Sequence, residues 1–459
     1  MKRAQHSMLE GPLLPSIISY TIPIILTSVL QLLFNAADLV VIGQYCGSIS
    51  VAAVGATGSL TSLLVNFFVG LSVGAGSTMA NAIGSRNNSM VHRIVHTAMP
   101  TALICGTVLT VIGVAFSEIF LIWMGTPKDV LALASVYMRI YFGGILFTMV
   151  YNFCAAILRA AGDTKSPLLF LSLSGVVNVL LNLLFVTVFD MNVAGVALAT
   201  TISQGVAAAL TVLALMKRTD ACRLQLRKMR FFKEPLMKII GQGIPAGMQS
   251  SLFSISNVLI QSSINSFGEV VISGNAAAVS IEGFVYVGMN AFYQTAINFT
   301  GQNIGAQQYQ RVRKILWSCL GCVMVFGAVF GSMAYLLAPQ LLGIYITDSV
   351  QAIQYGIIRI TFVCLTQFLC GMMEVCTGVL RGMQFSILPM VITVLGACGF
   401  RVAWIYTVFR APQFHSLESL YISYPISWIL TFSAELIACL WLYRKRFVSQ
   451  GICKAAVKE

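Results

Sequence analysis

Charge is scarce in this sequence, and acidic charge is scarcest. Fifteen Asp and Glu stand against 28 Lys and Arg in 459 residues, and charged residues of all kinds make up 9%. With 58% hydrophobic residues and a mean hydropathy of +0.85, that scarcity excludes an ordinary soluble domain. Chemistry-bearing motifs are missing too. There is no G-x-x-x-x-G-K-[ST] loop, so ATP drive within the chain is not expected. No HExxH or paired-acid pattern appears, so a polytopic membrane enzyme lacks its parts, and no enzymatic activity is expected. Of four histidines, His6, His92 and His415 fall in the tail or connections and His96 near a helix start. No cleavable signal peptide is expected, because the first apolar segment is too long and lacks a small-residue cleavage site. Most of the twelve cysteines lie inside apolar segments, where a free thiol packs as a small hydrophobe. Cys319 and Cys322 have CxxC spacing but no second pair, so no metal or other cofactor is expected. The net charge of +13 resides in short connections, so nucleic acid is not an expected partner.

What the chain has is long apolar runs. Twelve read as membrane helices, over residues 13–43, 51–83, 94–120, 131–157, 166–189, 193–216, 239–265, 272–304, 315–338, 350–380, 384–409 and 421–443. Several exceed the ~20 residues needed to cross a bilayer, so tilt or protrusion is expected. With the N-terminus inside, 23 of the 28 Lys and Arg fall in inner segments, and the outer connections hold only Lys128 and Arg410. That asymmetry predicts a multi-pass plasma-membrane protein with both termini cytoplasmic.

The two halves repeat. A shift of 222 residues places Pro23 on Pro245, Ser28 on Ser250, Asn35 on Asn257 and Leu158-Arg159 on Leu380-Arg381; a shift of 221 places Gly84 on Gly305. The expected fold is therefore all-α: twelve transmembrane helices in two six-helix bundles related by pseudo-two-fold symmetry. The expected organisation is an N-lobe over 1–216, a basic cytoplasmic linker over 217–238, and a C-lobe with its tail over 239–459. The linker reads as solvated and close to anionic lipid headgroups.

Four acidic residues fall inside helices: Asp38, Glu282, Glu374 and Glu435. A carboxylate in a spanning helix is costly as a charge and tends to take a proton or a cation. Asp38 is the only acid in its segment, with Asn35 three residues earlier. Asn178 and Asn182 on the fifth helix, and Tyr137 and Tyr141 on the fourth, are each four apart and so share a face. Together they are a candidate cation-coupling set around Asp38. The structural alternative is that Asp38 only bonds between helices. Glu282 shares a face with Tyr286, Met289 and Tyr293, and Glu374 with Gln367, Gly371 and Gly378. With Gln249 and Asn257 of the seventh helix, these form a candidate substrate or C-lobe cation set. Met289 and its aromatic neighbours suit either core packing or a promiscuous apolar cavity. Arg401 is a candidate partner for Glu282 or Glu374. Arg139 and Arg359, about two turns from the outer ends, are expected to snorkel. Glu435, near an inner helix end, is expected to reach polar surroundings.

Several stretches resemble the MATE family of multidrug and toxic compound extrusion transporters. They are Asn35-Ala-Ala-Asp38-Leu-Val-Val-Ile-Gly43, Arg159-Ala-Ala-Gly-Asp-Thr-Lys165, Gly301-Gln-Asn-Ile-Gly-Ala306 followed by Arg311, and Leu380-Arg-Gly382. The resemblance implies two bundles forming a V-shaped cavity, and antiport of organic, often cationic, compounds against protons or sodium. It matches Asp38 to the family's N-lobe carboxylate. Asn178 and Asn182 fall where many prokaryotic members have Asn and Asp, so one carboxylate is replaced here. The Glu that the sodium-coupled branch often carries near Phe253 is absent.

The expected function is a secondary active antiporter, acting as a monomer, that exchanges a small organic and cationic substrate for H+ or Na+ among membrane lipids. A lipid-linked saccharide flippase of the same wider superfamily is the alternative.

Overall fold

The computed structural model describes residues 8–346 and 349–445, apart from the side chains of Ser48 and Ser59. The basic residues Lys2, Arg3, Arg446, Lys454 and Lys458, His6 and both chain ends lie outside the described residues.

The apolar runs form helices because, in lipid, a backbone must satisfy its own hydrogen bonds. Twelve long helical segments follow in order: α1 Leu13–Tyr45, α2 Ser48–Gly84, α3 Asn88–Trp123, α4 Lys128–Gly143 bent into Ile145–Ala160, α5 Lys165–Val188, α6 Asn192–Met216, α7 Lys233–Asn265, α8 Glu269–Gly305, α9 Tyr309–Leu336, α10 Val350–Gly382, α11 Ile387–Tyr406 and α12 Leu417–Tyr443. A short helix, Ala338–Tyr345, follows α9. Ten of the twelve are long and apolar enough to cross a membrane, and α4 makes eleven if its two arms are one span. The exception, α7, is long enough but too polar, since it carries Gln242, Gln249, Ser250, Ser251, Ser254, Ser256, Asn257 and Gln261. No strand occurs among the described residues.

Four of the helices are not regular throughout. α4 bends by 45° at Gly144, whose missing Cβ leaves room for Thr201 of α6. Helices α5, α10 and α11 each contain a π-helical turn, at Leu184–Val188, Ile360–Cys364 and Val394–Gly399. Each such turn adjoins a buried polar side chain: Asn182, Arg359, and Thr393 with Arg401. Such turns interrupt the regular ladder and re-aim neighbouring side chains.

The internal repeat reappears in the backbone. Gly47 and Gly268 open α2 and α8 at φ 84° and 98°. Arg86 and Gln307 close them at φ 53° and 59°, and Gly162 and Gln384 close α4 and α10 at φ 83° and 70°. Each closing turn returns a backbone N–H to a carbonyl five residues back: Asn87 to Ala82, Gln308 to Asn303, Asp163 to Leu158 and Phe385 to Leu380.

By contacts the described chain divides into two compact units, Ile22–Ser250 and residues 8–21 together with the chain from Ser251 onward. The expected boundaries follow chain order, whereas these units do not. The start of α1 packs in the second unit, where Tyr20 meets Phe299 edge-on at 5.4 Å and Thr21 Oγ1 lies 2.8 Å from Thr295 Oγ1. The expected linker and the first half of α7 belong to the first unit. The linker is docked rather than simply solvated. The Gln225 N–H donates to His96 Nε2 (3.1 Å), Arg230 N–H to the His96 carbonyl (3.3 Å) and Phe232 N–H to Thr97 Oγ1 (3.2 Å). Cys222 and Leu224 are buried beneath it, while Arg223, Arg227, Lys228 and Arg230 stay exposed. Burial pushes the Cys222 thiol up to about 12.

The first unit packs around fully buried Met138, Phe142, Tyr151 and Phe153. There α2 crosses α7 backbone to backbone: a Cβ on Gly70, Gly74, Gly243 or Gly247 would overlap the other helix. This small-xxx-small crossing is how helices associate where lipid supplies no hydrophobic drive. The second unit packs around Ile260, Val363, Met373, Tyr421 and Trp428.

Candidate functional site

In the first unit Asp38 is buried at 7% exposure, deep in α1. Its position is set by Phe34, one turn earlier, which lies in the space that Gly175 of α5 leaves by lacking a Cβ. That close approach brings α5's Asn178 and Asn182, spaced one turn apart, to the carboxylate. Asn182 Nδ2 donates to Asp38 Oδ1 at 2.5 Å and to Asn178 Oδ1 at 3.3 Å. Asn178 Nδ2 donates to Thr200 Oγ1 of α6 at 3.3 Å, and Thr200 Oγ1 donates to Asp38 Oδ2 at 3.2 Å. The four residues close a ring of hydrogen bonds. Every donor in it is neutral, and among the described residues no Lys, Arg or His pairs with Asp38. Asn182 Oδ1 is a further buried oxygen with no donor. The set is rich in oxygen, so one monovalent cation, whether proton or sodium, fits its chemistry.

Tyr137 and Tyr141 stack on each other with ring centroids 6.2 Å apart and lie near enough to interact with the Asp38 charge, but neither hydrogen-bonds to it. Asn35 is a correction: it is exposed and is not among Asp38's partners, because three residues of helix rotate it away from the ring. Thr200 was not expected. Its signal was slight, a Thr-Thr pair in a mainly apolar helix that also holds Ser203, Gln204 and Thr211.

The second unit differs chemically. Glu282 Oε2 accepts from Arg359 Nη2 at 2.7 Å and Nε at 3.1 Å. Arg359 also donates to Asn275 Oδ1 (3.0 Å), which accepts from the Tyr421 hydroxyl as well (3.1 Å). This overturns two expectations. Arg359 is buried at 5% exposure rather than snorkelling, and Arg359, not Arg401, is the partner of Glu282. Arg139 does stay exposed, paired with Glu118 at 3.0 Å.

The other candidates do not gather into one cluster with Glu282. Glu374 is half-buried and accepts no hydrogen bond among the described residues; Tyr286, 37% exposed, and buried Tyr293 lie within range of its charge. Tyr293 accepts from Arg381 Nη1. Met289 is fully buried against Gly371, which places it in the core. Gln249 is buried in the first unit, and Asn257 is exposed in the second. Glu435 is fully buried, against expectation; its carboxylate accepts from Thr377 Oγ1 (2.8 and 2.9 Å) and Thr393 Oγ1 (2.8 Å).

Residues 23–184 and 245–407 each match the MatE family model. The two matches begin 222 residues apart, the offset at which the halves superpose in sequence. The probable multidrug resistance protein YoeA of Bacillus subtilis is 26% identical over 422 residues, 90% of this chain and 90% of its own. A second Bacillus subtilis relative, the probable multidrug resistance protein YpnP, is 27% identical over 378 residues, 82% of this chain and 84% of its own. A crystal structure of MATE in the bent conformation shares the fold with a TM-score of 0.87 over 100% of both chains at 21% identity. An all-helical membrane chain whose two halves both match one transporter family belongs to that family: this is an integral membrane protein of the MATE family of multidrug efflux transporters.

Proposed function

We propose that the chain is a secondary active antiporter that exports organic, mainly cationic, compounds by alternating access in exchange for one H+ or Na+ per cycle at Asp38. The observation that carries this reading is the ring Asp38–Asn182–Asn178–Thr200: a buried carboxylate met only by neutral donors. A buried acid without a basic partner is stable only with a proton or a cation on it. Glu374 supplies a second carboxylate that accepts no hydrogen bond among the described residues, a candidate contact for a cationic substrate. The charge asymmetry of the connections supports a plasma-membrane location with both termini cytoplasmic. The exposed Arg223, Arg227, Lys228 and Arg230 suit anionic headgroups, and the chain is proposed to act as a monomer.

A flippase for lipid-linked saccharides would want several free central cations. Of the three arginines read within helices, Arg139 is exposed, Arg359 is neutralised by Glu282, and Arg401 alone is buried without a carboxylate partner among the described residues, one cation rather than several. That arrangement favours drug export.

The test is dye efflux from proteoliposomes with pH and sodium gradients imposed separately. One site holding one cation sets the ceiling: a tenfold gradient of a monovalent ion supplies about 1.4 kcal/mol, enough for about tenfold accumulation. Wild type is expected to approach that ratio under one of the gradients, and Asp38→Asn to bind dye but equilibrate without accumulation. Accumulation unchanged in Asp38→Asn would reduce Asp38 to an interhelical contact, and no dye movement under either gradient would end the export reading.

A further inference from the structure

The second unit buries a guanidinium that pairs with no carboxylate among the described residues. Arg401 of α11, just past the π turn Val394–Gly399, is 1% exposed. Its Nε donates to Ser427 Oγ at 3.0 Å. Its guanidinium lies 4.1 Å from the Tyr424 ring centroid, 5.3 Å from that of Phe253 and 5.5 Å from that of Trp428. Among the described residues Nη2 has no hydrogen-bond partner, and neither has the buried indole N–H of Trp428. Two touching side chains thus present buried donors with no acceptor. Glu282, the carboxylate once expected here, is held by Arg359 instead.

A guanidinium stays charged in any protein environment. Cation–π contacts offset part of its burial but are individually modest, whereas an unpaired buried charge is among the costliest features a membrane protein can hold. The geometry points to a missing anion. We propose that Arg401, walled by Phe253, Tyr424 and Trp428, is a subsite for an anionic oxygen group, carboxylate or phosphate, carried by an aromatic transport substrate. Arginine's planar fork fits two oxygens of such a group. The three rings offer flat apolar faces to the body that carries it. Of the three walls, Phe253 alone is partly exposed. The inference rests on the export reading and widens its substrate class from organic cations to zwitterions and organic anions.

The probes are a carboxyrhodamine free acid and its methyl ester, which differ only in the anionic group. Equilibrium binding of each to the purified full-length protein in detergent is measured for wild type, Arg401→Lys and Arg401→Gln, followed by transport in proteoliposomes. Wild type is expected to bind the acid at least as tightly as the ester. Arg401→Gln is expected to weaken the acid tenfold or more and leave the ester within twofold, with Arg401→Lys between them. Equal loss of both probes in Arg401→Gln, with a lowered melting temperature, would assign Arg401 a structural role and overturn the proposal. So would wild-type rejection of the acid. Two further arms separate the sources of the anion. Inorganic phosphate or phosphatidylglycerol that raises the melting temperature through Arg401, without the acid probe competing, identifies a free ion or a headgroup as the occupant and overturns the substrate subsite. If the ester binds but no gradient moves it, the export reading fails, while the acid-to-ester binding ratio still decides the Arg401 site.

Discussion

Glu282 shows how a buried acid can be mistaken for a binding group, and its role can be tested by a double-mutant cycle. Both hydrogen bonds from Arg359 fall on one oxygen, at 2.7 and 3.1 Å, and the two side chains are 17% and 7% exposed. Solvent screening is therefore slight. Removing one partner of such a pair leaves an uncompensated buried charge, at a cost of about 3–5 kcal/mol. Asn275 still contacts Arg359 when Glu282 is gone, which places Glu282→Gln at the lower end, about 3 kcal/mol. For a unit of this size that lowers the melting temperature by roughly 6–12 °C. Arg359→Met should do the same by stranding Glu282. The double variant Glu282→Met with Arg359→Met buries no charge and should recover most of the loss, giving a coupling of at least about 2 kcal/mol. The assay is thermal unfolding of the detergent-solubilised protein, with dye binding measured alongside. If Glu282→Gln melts within about 2 °C of wild type and yet abolishes dye binding, the pair is incidental and Glu282 belongs to the substrate site.

Gly175→Ala places a methyl group where the Phe34 ring lies, so α1 must move off α5 and loosen the Asp38–Asn182 contact one turn away. Overpacking of this kind costs about 1–3 kcal/mol. The expected result is a severalfold weaker dependence of transport on the coupling ion, restored by adding Phe34→Leu; failure of that rescue would place the effect elsewhere. In a variant keeping Cys222 as its sole cysteine, maleimide labelling near neutral pH should run about a thousandfold slower than for a free thiol. The reason is that burial beneath the docked linker raises the thiol and so depletes the reactive thiolate. Labelling should accelerate as pH rises and on unfolding, and rapid labelling of the folded protein would show that the linker does not stay docked.

Much of the first-unit site was legible because its logic is local. Asp38 stands out as the lone acid of its segment, and Asn178 and Asn182 share a face by spacing alone. Thr200 was not legible, since a helix threonine usually bonds its own backbone, as Thr78, Thr101 and Thr211 do to carbonyls four residues back. Asn35 failed for the opposite reason: a three-residue spacing suggests a shared face, but the rotation of α1 against α5 decides who faces the ring. The same rotation decided Arg359. An arginine two turns inside a helix snorkels if it faces lipid and pairs if it faces inward, and the mixed apolar residues around it do not encode which. Its partner lies 77 residues away on α8, a distance that sequence pattern cannot bridge.

The repeat makes the same point at the scale of the whole chain. Both halves keep left-handed turns at matching positions even where the residues differ, Gly162 in one and Gln384 in the other. A spanning backbone must close its own hydrogen bonds, and that requirement holds whatever the side chains are, so symmetry transmits the frame faithfully. A buried polar side chain is different: its partner must come from another helix, and each half has to assemble that pairing for itself. The position equivalent to Asp38 is Ile260, buried in the second unit's core at 1% exposure. Charge in that unit sits instead on α8, α10, α11 and α12, as the Glu282–Arg359 pair, the hydroxyl-bound Glu435 and the unneutralised Arg401. The first unit thus centres on a carboxylate in a ring of neutral donors, and the second combines an acid–base pair, two further acids and a guanidinium with no carboxylate partner among the described residues. The frames match and the chemistry does not, so a variant that inserts Ile260→Asp should lose stability, because Ile260 packs within an apolar core cluster where a carboxylate would displace hydrophobic contacts.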